Sequence, residues 1–348
     1  MKGNGMNRRR PTMNDVAQLA GLSVATVDRV LNRRAPVRQS TAERILKSAE
    51  ELKYYATPLL RSQVQALRRP VRCAVLLHSG TTPFCQALEE HLRQSARTKP
   101  EIAADFKVVC SDEINSKHVA DRIDALSRTV DALAVVAIDH PHVSLAIREA
   151  AERGVATIAL ISDLSSEEKY CYVGIDNRRA GRTAAWFLTR MVRRSGTLGL
   201  LIGSHRYLCQ ESREAGFRSY LREKAASFQV AEASIHLDNS AVAYEAAREF
   251  LERHPDCIGI YDVGGGEQGT LKALEEARSK RHIVFICHEL VSHTREALIR
   301  GTADIVIDQD PRMLAEQCLK AMIASGETST VKIRCEAVPF GIYTSENL

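Results

Sequence analysis

Two sets of residues in this 348-residue chain have the types and spacing to do chemistry. The first is Val24, Ala25, Thr26, Asp28, Arg29 and Asn32, with Ser23 before them and Arg33 and Arg34 after. On a helix these positions share one outward face. Arg29 carries the fork for a bidentate contact to guanine, and Val24 and Ala25 suit a thymine methyl. Ser23, Thr26, Asn32, Arg33 and Arg34 suit phosphate oxygens. The second set follows a series of apolar runs: Thr82 and Phe84, Asp139 and His140, Ser162 and Asp163, Asp176 and Asn177, Gly203 and Ser204, Asp262, Glu289, and Asp308 with Gln309. If those runs are parallel strands, these residues gather beyond the strands' carboxyl ends, where such sheets bind ligands. Acids and amides exchange hydrogen bonds with hydroxyls, and a flat ring covers a sugar's apolar face, so the group suits a polyhydroxylated ligand. For any one of these acids alone, a helix cap or a solvated turn is the plainer use.

Other patterns compete with this reading. Gly264 to Gly269 fits G-x-G-x-x-G after a strand and before a helix, with Glu289 25 residues beyond Gly264. That is near a dinucleotide fingerprint, and it keeps a redox-sensing regulator that binds NAD open as the alternative. Against it, the fingerprint normally opens its fold on the first strand, and this one lies deep in the chain. His288, Glu289 and His293 miss H-E-x-x-H by one residue, so the imidazoles would not share a helix face. His140 and His142 flank Pro141 as an exposed turn would. G-x-S-x-G and Walker A sequences are absent, which speaks against an enzyme. No cofactor and no metal are expected. The nine cysteines form no C-x-x-C pair and sit largely in apolar runs, as reduced, buried thiols would.

The first set needs a helix-turn-helix to present it. Thr12 and Asp15 have the spacing of a capping box, and Val16, Ala17, Leu19 and Ala20 make an apolar face. Gly21 suits the left-handed residue that ends the helix, and Ser23 caps the next one, whose Val27, Val30 and Leu31 face inward. Ser40 with Glu43 is expected to cap a third helix, whose stripe is Ile45, Leu46, Ala49 and Leu52. Charge agrees with this assignment. The whole chain is only +5, but residues 1–72 hold fifteen Lys/Arg against five Asp/Glu, a balance of +10, and the remainder stands at −5. A basic head on an acidic body implies that the head meets a polyanion.

From Thr12 through Tyr54 the words "TMNDVAQLAGLSVATVDRVLN" and "STAERILKSAEELKYY" resemble the headpiece of the LacI/GalR (lactose-repressor) family of bacterial transcription factors. The resemblance implies that Val24 and Ala25 are the base-reading pair and that Arg29 is the family's arginine. It puts Thr12, Ser23, Thr26, Asn32 and Arg33 on the DNA as well. Asp28 stands where the family usually has serine. Residues 55–70 then match the family's hinge, a short helix whose leucine wedges into the minor groove. Leu60, Val64 and Leu67 are the candidates for that wedge, with Leu67 taken as the site residue.

The second set needs an α/β body. Apolar strand-like runs at 71–78, 105–110, 131–138, 155–161, 171–175, 197–202, 229–237, 257–262, 282–287 and 303–307 alternate with amphipathic stretches. The latter lie near 83–98, 116–128, 141–153, 177–194, 211–226, 240–254, 267–279, 292–300 and 310–325. Such alternation implies two parallel sheets covered on both faces. The phrases "YVGIDNRRAGRTAAWFL", "QESREAGFRSYL" and "HELVSHTREALIRGTADIVIDQDP" resemble the same family's effector domain, which is like the type I periplasmic sugar-binding proteins. The implied fold is an all-α helix-turn-helix headpiece (1–54), a hinge linker (55–70) and an α/β two-lobed effector-binding and dimerisation domain (71–342). By position, Arg213 would clamp the effector. Glu289 falls where an aspartate is usual, Gln309 where a polar contact is usual, and Asp262 near a usual asparagine. With Phe84, Asp139, Asp163 and Asp176, these are the expected effector residues. The implied protein is a cytoplasmic homodimer on double-stranded operator DNA, controlled by a sugar or sugar derivative. No apolar stretch reaches the ~18–20 residues of a membrane span.

Overall fold

Internal packing divides the computed structural model into two units, Met1–Pro70 and Val71–Leu348. It describes residues 9–65, 67, 69–78, 82–111, 115–192, 196–277, 282–327 and 335–348. The first residues of the basic start, and the far ends of the helices expected at 177–194 and 267–279, lie outside the described residues.

The first unit holds α1 (Met13–Ala20), α2 (Val24–Asn32), α3 (Gln39–Glu51) and α4 (Thr57–Gln65). Thr12 caps α1 in a closed capping box: its amide donates to Asp15 Oδ2 at 2.7 Å, and Asp15 N donates to Thr12 Oγ1 at 3.4 Å. The hydrogen bonds from Thr12 hold the Asp15 carboxyl below its ordinary pKa. Gly21 closes α1 at φ 61°, in the left-handed region that glycine enters without strain. Val16, Ala17, Val27, Val30, Leu31, Ile45 and Ala49 form the core of this unit.

Two expectations are corrected here. The third helix is not capped by Ser40, because it begins at Gln39 after Arg38, which makes no side-chain cap; Gln39 Nε2 instead donates to Glu43 Oε1 at 3.0 Å. The short helix expected within the hinge is present as α4, but it packs on α2 and α3, which takes two of the three wedge candidates into the core. Leu60 and Val64 are buried in the unit's core beside Tyr54 and Ala56, while Leu67 is 42% exposed.

The second unit has two lobes. Lobe 1 is a five-stranded parallel sheet in the order β2-β1-β3-β4-β5, from β1 (Cys73–His78), β2 (Lys107–Ser111), β3 (Ala132–Val135), β4 (Ala156–Leu160) and β5 (Cys171–Val173). Helices α5 (Pro83–Arg97), α6 (Ser116–Ser127) and α7 (Pro141–Glu152) connect its strands. The inner strands β1, β3 and β4 are buried on both faces, which is why they read as continuous apolar runs, while the edge strand β2 mixes buried and exposed positions.

Lobe 2 is built from β6 (Thr197–Ile202), β7 (Gln229–Val230), β8 (Ser234–Ile235), β9 (Cys257–Asp262), β10 (Val284–His288), β11 (Ile305–Asp308) and β12 (Gly341–Tyr343). Its main order is β12-β11-β10-β9-β6-β7, with β8 also paired to β6. Helices α8 (Asn177–Met191), α9 (Leu208–Lys224), α10 (Ser240–Arg253), α11 (Glu267–Ala277) and α12 (Ser292–Arg300) belong to it, and α13 (Pro311–Glu327) returns to pack on α5, β3 and β4. The single strand expected at 229–237 is therefore two short ones. Register explains the break: Leu198 pairs with Val230 and Leu201 with Ser234, so this edge carries one extra residue and must bulge. The antiparallel β12 has no counterpart among the expected strands.

The chain crosses between the lobes three times, at 174–176, 309–310 and 338–340. Val338 N donates to Gly174 O at 2.9 Å and pairs with Ile175, so two of the crossings run side by side.

Candidate functional site

On α2, the sequence places the recognition face where the structure exposes it. Val24 is 41% exposed, and Ala25 and Arg29 are exposed as well. The neighbouring polar residues are largely engaged with one another. Ser23 caps the helix by accepting from Thr26 N at 3.2 Å and bonds the Thr26 hydroxyl at 2.9 Å. Asp28 accepts from Asn32 Nδ2 at 2.7 Å and from Arg34 at 3.0 Å. The acid that departs from the family's usual serine is thus a brace for two of the phosphate candidates. Arg33 ends α2 in the left-handed region and donates to Gln63 on α4. The Thr12 hydroxyl serves the capping box, donating to Asp15 Oδ2 at 2.7 Å.

In the second unit a cleft of about 880 Å³ opens between the lobes. Four of the eight expected effector residues line it: Phe84, Arg213, Glu289 and Gln309. Phe84 is set by Thr82, which caps α5 by accepting from Cys85 N at 3.3 Å, with Pro83 at the first helical position. Arg213 projects from α9 and is 3% exposed. Its Nε donates to Asn177 Oδ1 at 2.8 Å, and its Nη1 donates to the Val263 carbonyl at 2.8 Å. Its Nη2 is buried without a hydrogen-bond partner. α9 comes this close to α8 because two glycines allow it: a Cβ on Gly181 would lie 1.9 Å from the Arg213 carbonyl, and one on Gly216 would lie 2.1 Å from the Arg178 carbonyl.

Glu289 follows β10 in the left-handed region, at φ 66°. Its Oε1 accepts from Gln309 Nε2 at 2.5 Å, while Glu289 Oε2 and Gln309 Oε1 are buried without partners. Burial pushes the Glu289 carboxyl up to about 8, although the nearby Arg213 charge works the other way. Three unsatisfied polar atoms, one donor on Arg213 and two oxygens, therefore belong to residues of a single cleft.

The other four expected acids are not brought to this cleft, and each has a local use. Asp139 Oδ1 accepts from Ser165 N at 2.8 Å and from its hydroxyl at 2.9 Å. Asp163 accepts from Leu164 N and pairs with Lys169 at 3.2 Å. Asp176 caps α8 through Arg179 N at 2.9 Å. Asp262 has no exposed surface; it contacts His236 at 3.2 Å and accepts from the Thr270 hydroxyl at 2.8 Å.

The cleft also holds residues the strand-end rule did not collect, among them Asp238, Gln210, Tyr207, Glu267 and His293. Gln210 donates to both Asp238 oxygens at 3.1 Å, and Gly265 N donates to Asp238 Oδ1 at 2.7 Å. Burial raises the Asp238 carboxyl above its ordinary pKa. His293 bonds Glu267 at 2.7 Å. Gln210 had a signal: it lies one helical turn before Arg213, on the same face of α9. Asp238 had one as well, since it directly follows the run expected as a strand at 229–237, but its place in the cleft depends on a left-handed turn after the two-residue β8, with Leu237 at φ 55° and Asp238 at φ 53°.

The glycine run is used internally. Gly264 N donates to Asp262, and Gly265 N to Asp238. A Cβ on Gly264 would lie 2.5 Å from Asp238 Oδ1, and one on Gly269 would lie 1.8 Å from the Ser240 carbonyl. Close packing of α10 and α11 explains Gly269, the approach of the Asp238 side chain explains Gly264, and two of the amides a pyrophosphate would need are already bonded. His140 caps α7 through His142 N, and His288 is buried against the Tyr261 hydroxyl at 2.7 Å. Among the described residues no group of three or more His, Cys, Asp or Glu is placed to hold a metal, and no helix is long and apolar enough to cross a membrane.

A helix-turn-helix unit joined to a two-lobed ligand-binding unit defines a class of ligand-responsive DNA-binding regulators. Two family models match the chain. Residues 73–328 match the periplasmic binding protein domain, and residues 12–56 match the bacterial regulatory proteins of the lacI family. The chain belongs to the LacI family of transcriptional regulators, as its headpiece and effector-domain phrases imply. It is 25% identical over 254 residues to the ribose operon repressor of Halalkalibacterium halodurans, covering 72% of this chain and 70% of that one. It is 26% identical to the sucrose operon repressor of Pediococcus pentosaceus, covering 61% of each, and 26% identical to the regulator GalR of Escherichia coli K12, covering 77% and 68%. The alignments thus span 61–70% of these relatives' own lengths. Among solved structures, the glucose-galactose binding protein GanP of Geobacillus stearothermophilus superposes with a TM-score of 0.74 at 17% identity, covering 81% of this chain and 99% of that one. A solute binding protein of Burkholderia graminis in complex with D-arabinose gives 0.72 at 19%, covering 80% and 96%. At these identities the superpositions speak to fold alone.

Proposed function

We propose that this chain is a homodimeric repressor whose two heads read the half-sites of a near-palindromic operator, and whose cleft binds a sugar or sugar derivative without turning it over. The observation that carries the effector assignment is the set of unsatisfied atoms on Arg213, Glu289 and Gln309. A buried polar atom without a partner is costly, and a hydroxylated ligand offers donors and acceptors together. Phe84 and Tyr207 supply aromatic surface for the apolar face of a ring. The ribose and sucrose operons in two relatives' names, and the sugars in the names of the fold neighbours, agree with that chemistry.

On the DNA side, Arg29, Val24 and Ala25 contact base edges, while the basic charge of residues 1–72 engages phosphates. With Leu60 and Val64 committed to the core of the first unit, Leu67 takes the minor-groove wedge role. The effector acts by binding one arrangement of the lobes better than the other, and the difference in affinity sets the size of the response.

The test is a thermal-shift screen of the full chain against pentoses, hexoses, polyols and sugar phosphates, followed by selection of operator DNA from a random pool. A true effector at 100 times its Kd stabilises by about 2.7 kcal/mol. The same compound must alter operator affinity and be recovered chemically unchanged. A compound that raises Tm but leaves DNA binding untouched, or that is consumed, overturns the assignment.

A further inference from the structure

Cys171 and Cys335 are 164 residues apart in sequence, yet their sulfurs lie 2.9 Å from each other in a hydrogen bond. Both are free thiols. A disulfide bond is about 2.05 Å long, so closing one here needs less than about 1 Å of approach. Seven more free thiols are present in the chain. The pair is also reachable. Cys335 is partly exposed, and both cysteines border an open groove of about 1190 Å³ that is distinct from the effector cleft.

The position of the pair gives it mechanical meaning. Cys171 is the first residue of β5 in lobe 1, three residues before the crossing at 174–176. Cys335 lies three residues before Val338, which is bonded to Gly174 and bridged to Ile175 at the start of the crossing at 338–340. A bond between the two sulfurs would therefore fasten two of the three inter-lobe crossings on their lobe 1 side.

We propose that Cys171 and Cys335 are a reversible dithiol–disulfide pair, and that oxidation fastens these two crossings and restricts the hinge between the lobes. The reactivity of the two thiols is asymmetric. The hydrogen bond with Cys171 pulls Cys335 down to about 7, and Lys320 works in the same direction against burial. Cys171 is raised, by its hydrogen bond to Cys335 and by burial. Cys335 is therefore the attacking thiolate and Cys171 the resolving thiol. With a peroxide as oxidant, the Cys335 thiolate attacks one oxygen. An S–O bond forms, the O–O bond breaks, and hydroxide leaves to become water with the proton Cys335 had released. Cys171 then attacks the Cys335 sulfenic sulfur. The S–S bond forms, the S–O bond breaks, and the departing hydroxide takes the Cys171 proton as a second water. Two thiols and one peroxide give one disulfide and two waters, and a dithiol reductant reverses the change. Intracellular disulfides of this kind are typically transient and redox-sensing.

The experiment treats the reduced full chain with one equivalent of hydrogen peroxide, blocks remaining thiols with N-ethylmaleimide and digests with trypsin without reduction. Lys169 and Arg178 bracket the peptide 170–178, and Arg334 precedes 335–348, so each peptide carries one of the two cysteines and no other. The expected product is these two peptides joined, formed ahead of modification at the exposed Cys110 and lost on adding dithiothreitol. Amide hydrogen exchange at 174–176 and 338–340 is expected to slow several-fold in the oxidised protein. Cys335→Ser should abolish both the linked peptide and the slowing while keeping the reduced protein's Tm. Cys171→Ser should leave Cys335 at the sulfenic stage, trapped by dimedone. Accumulation of Cys335 sulfinic acid in the unsubstituted protein, with Cys171 still blocked by N-ethylmaleimide, would overturn the pairing. A linked peptide with unchanged exchange at both crossings would overturn the hinge role.

Discussion

Arg213 is where structure and ligand chemistry meet at the scale of one residue. Two of its nitrogens hold Asn177 and Val263, and the third has no partner. Arg213→Ala is expected to abolish the effector's influence on DNA binding while leaving operator affinity of the effector-free protein unchanged in a gel-shift titration. It should also cost ~1–3 kcal/mol in urea unfolding, because Asn177 Oδ1 and the Val263 carbonyl lose their donors. Arg213→Lys keeps the charge but not the fork, so it should recover little of the response.

Glu289 gives a pH signature. Its folded pKa of about 8 lies above the ordinary 4.5, so between these values the native state holds a proton the unfolded chain has released. Its contribution to stability is therefore lost as pH rises from about 4.5 to 8, at up to ~1.4 kcal/mol per unit. Glu289→Gln should remove this slope, and the gap in Tm between variant and parent should widen in the variant's favour toward pH 8. Parallel Tm-versus-pH curves would refute the shift. Residue by residue, legibility followed use. Of the residues lining the cleft, Arg213 came only from its position in a family phrase, whereas Glu289 and Gln309 were collected both by that route and as strand-end residues. Asp139, Asp163, Asp176 and Asp262 followed strands as ligand acids do, but strand ends are also where helix N-termini and loops need acceptors.

Among the elements, those with a strong period were read almost to the residue: α12 was expected at 292–300 and spans Ser292–Arg300, and β6 was expected at 197–202 and spans Thr197–Ile202. Elements defined by long-range pairing were not. The antiparallel β12 has three residues and exists through its register with β11, a partner no local pattern names. For α4 a short helix in the hinge was expected, but not its packing, since Leu60 and Val64 read as wedge candidates until they find the core of α2 and α3. Two predictions belong here. Gly181→Ala would place a methyl 1.9 Å from a backbone carbonyl of α9, so the helices must separate. Over-packing of this kind costs ~1–3 kcal/mol, and because α9 carries Arg213, effector affinity should fall with Tm; an unchanged pair would refute the close packing. For α2, Arg29→Ala should cost ~1–3 kcal/mol at particular base positions of the selected operator. A uniform loss across all sequences would reassign Arg29 to phosphate.

For the whole molecule, the net charge of +5 conceals a basic head and an acidic body, and the cores divide where the charges do. Every member of the first unit's core lies before residue 65, and every buried cluster of the second lies after residue 72. A domain with its own core folds without its neighbour. A fragment of residues 71–348 should therefore give one cooperative calorimetric transition near the full chain's main one, and bind the effector found by screening with a Kd within about twofold. It should have no measurable affinity for operator DNA. The full chain's operator affinity should fall steeply with salt, with a slope set by the phosphates its basic head neutralises. Weak salt dependence in the full chain would show that charge is not what separates head from body. An insoluble fragment, or one blind to the effector, would show that the second unit depends on the first.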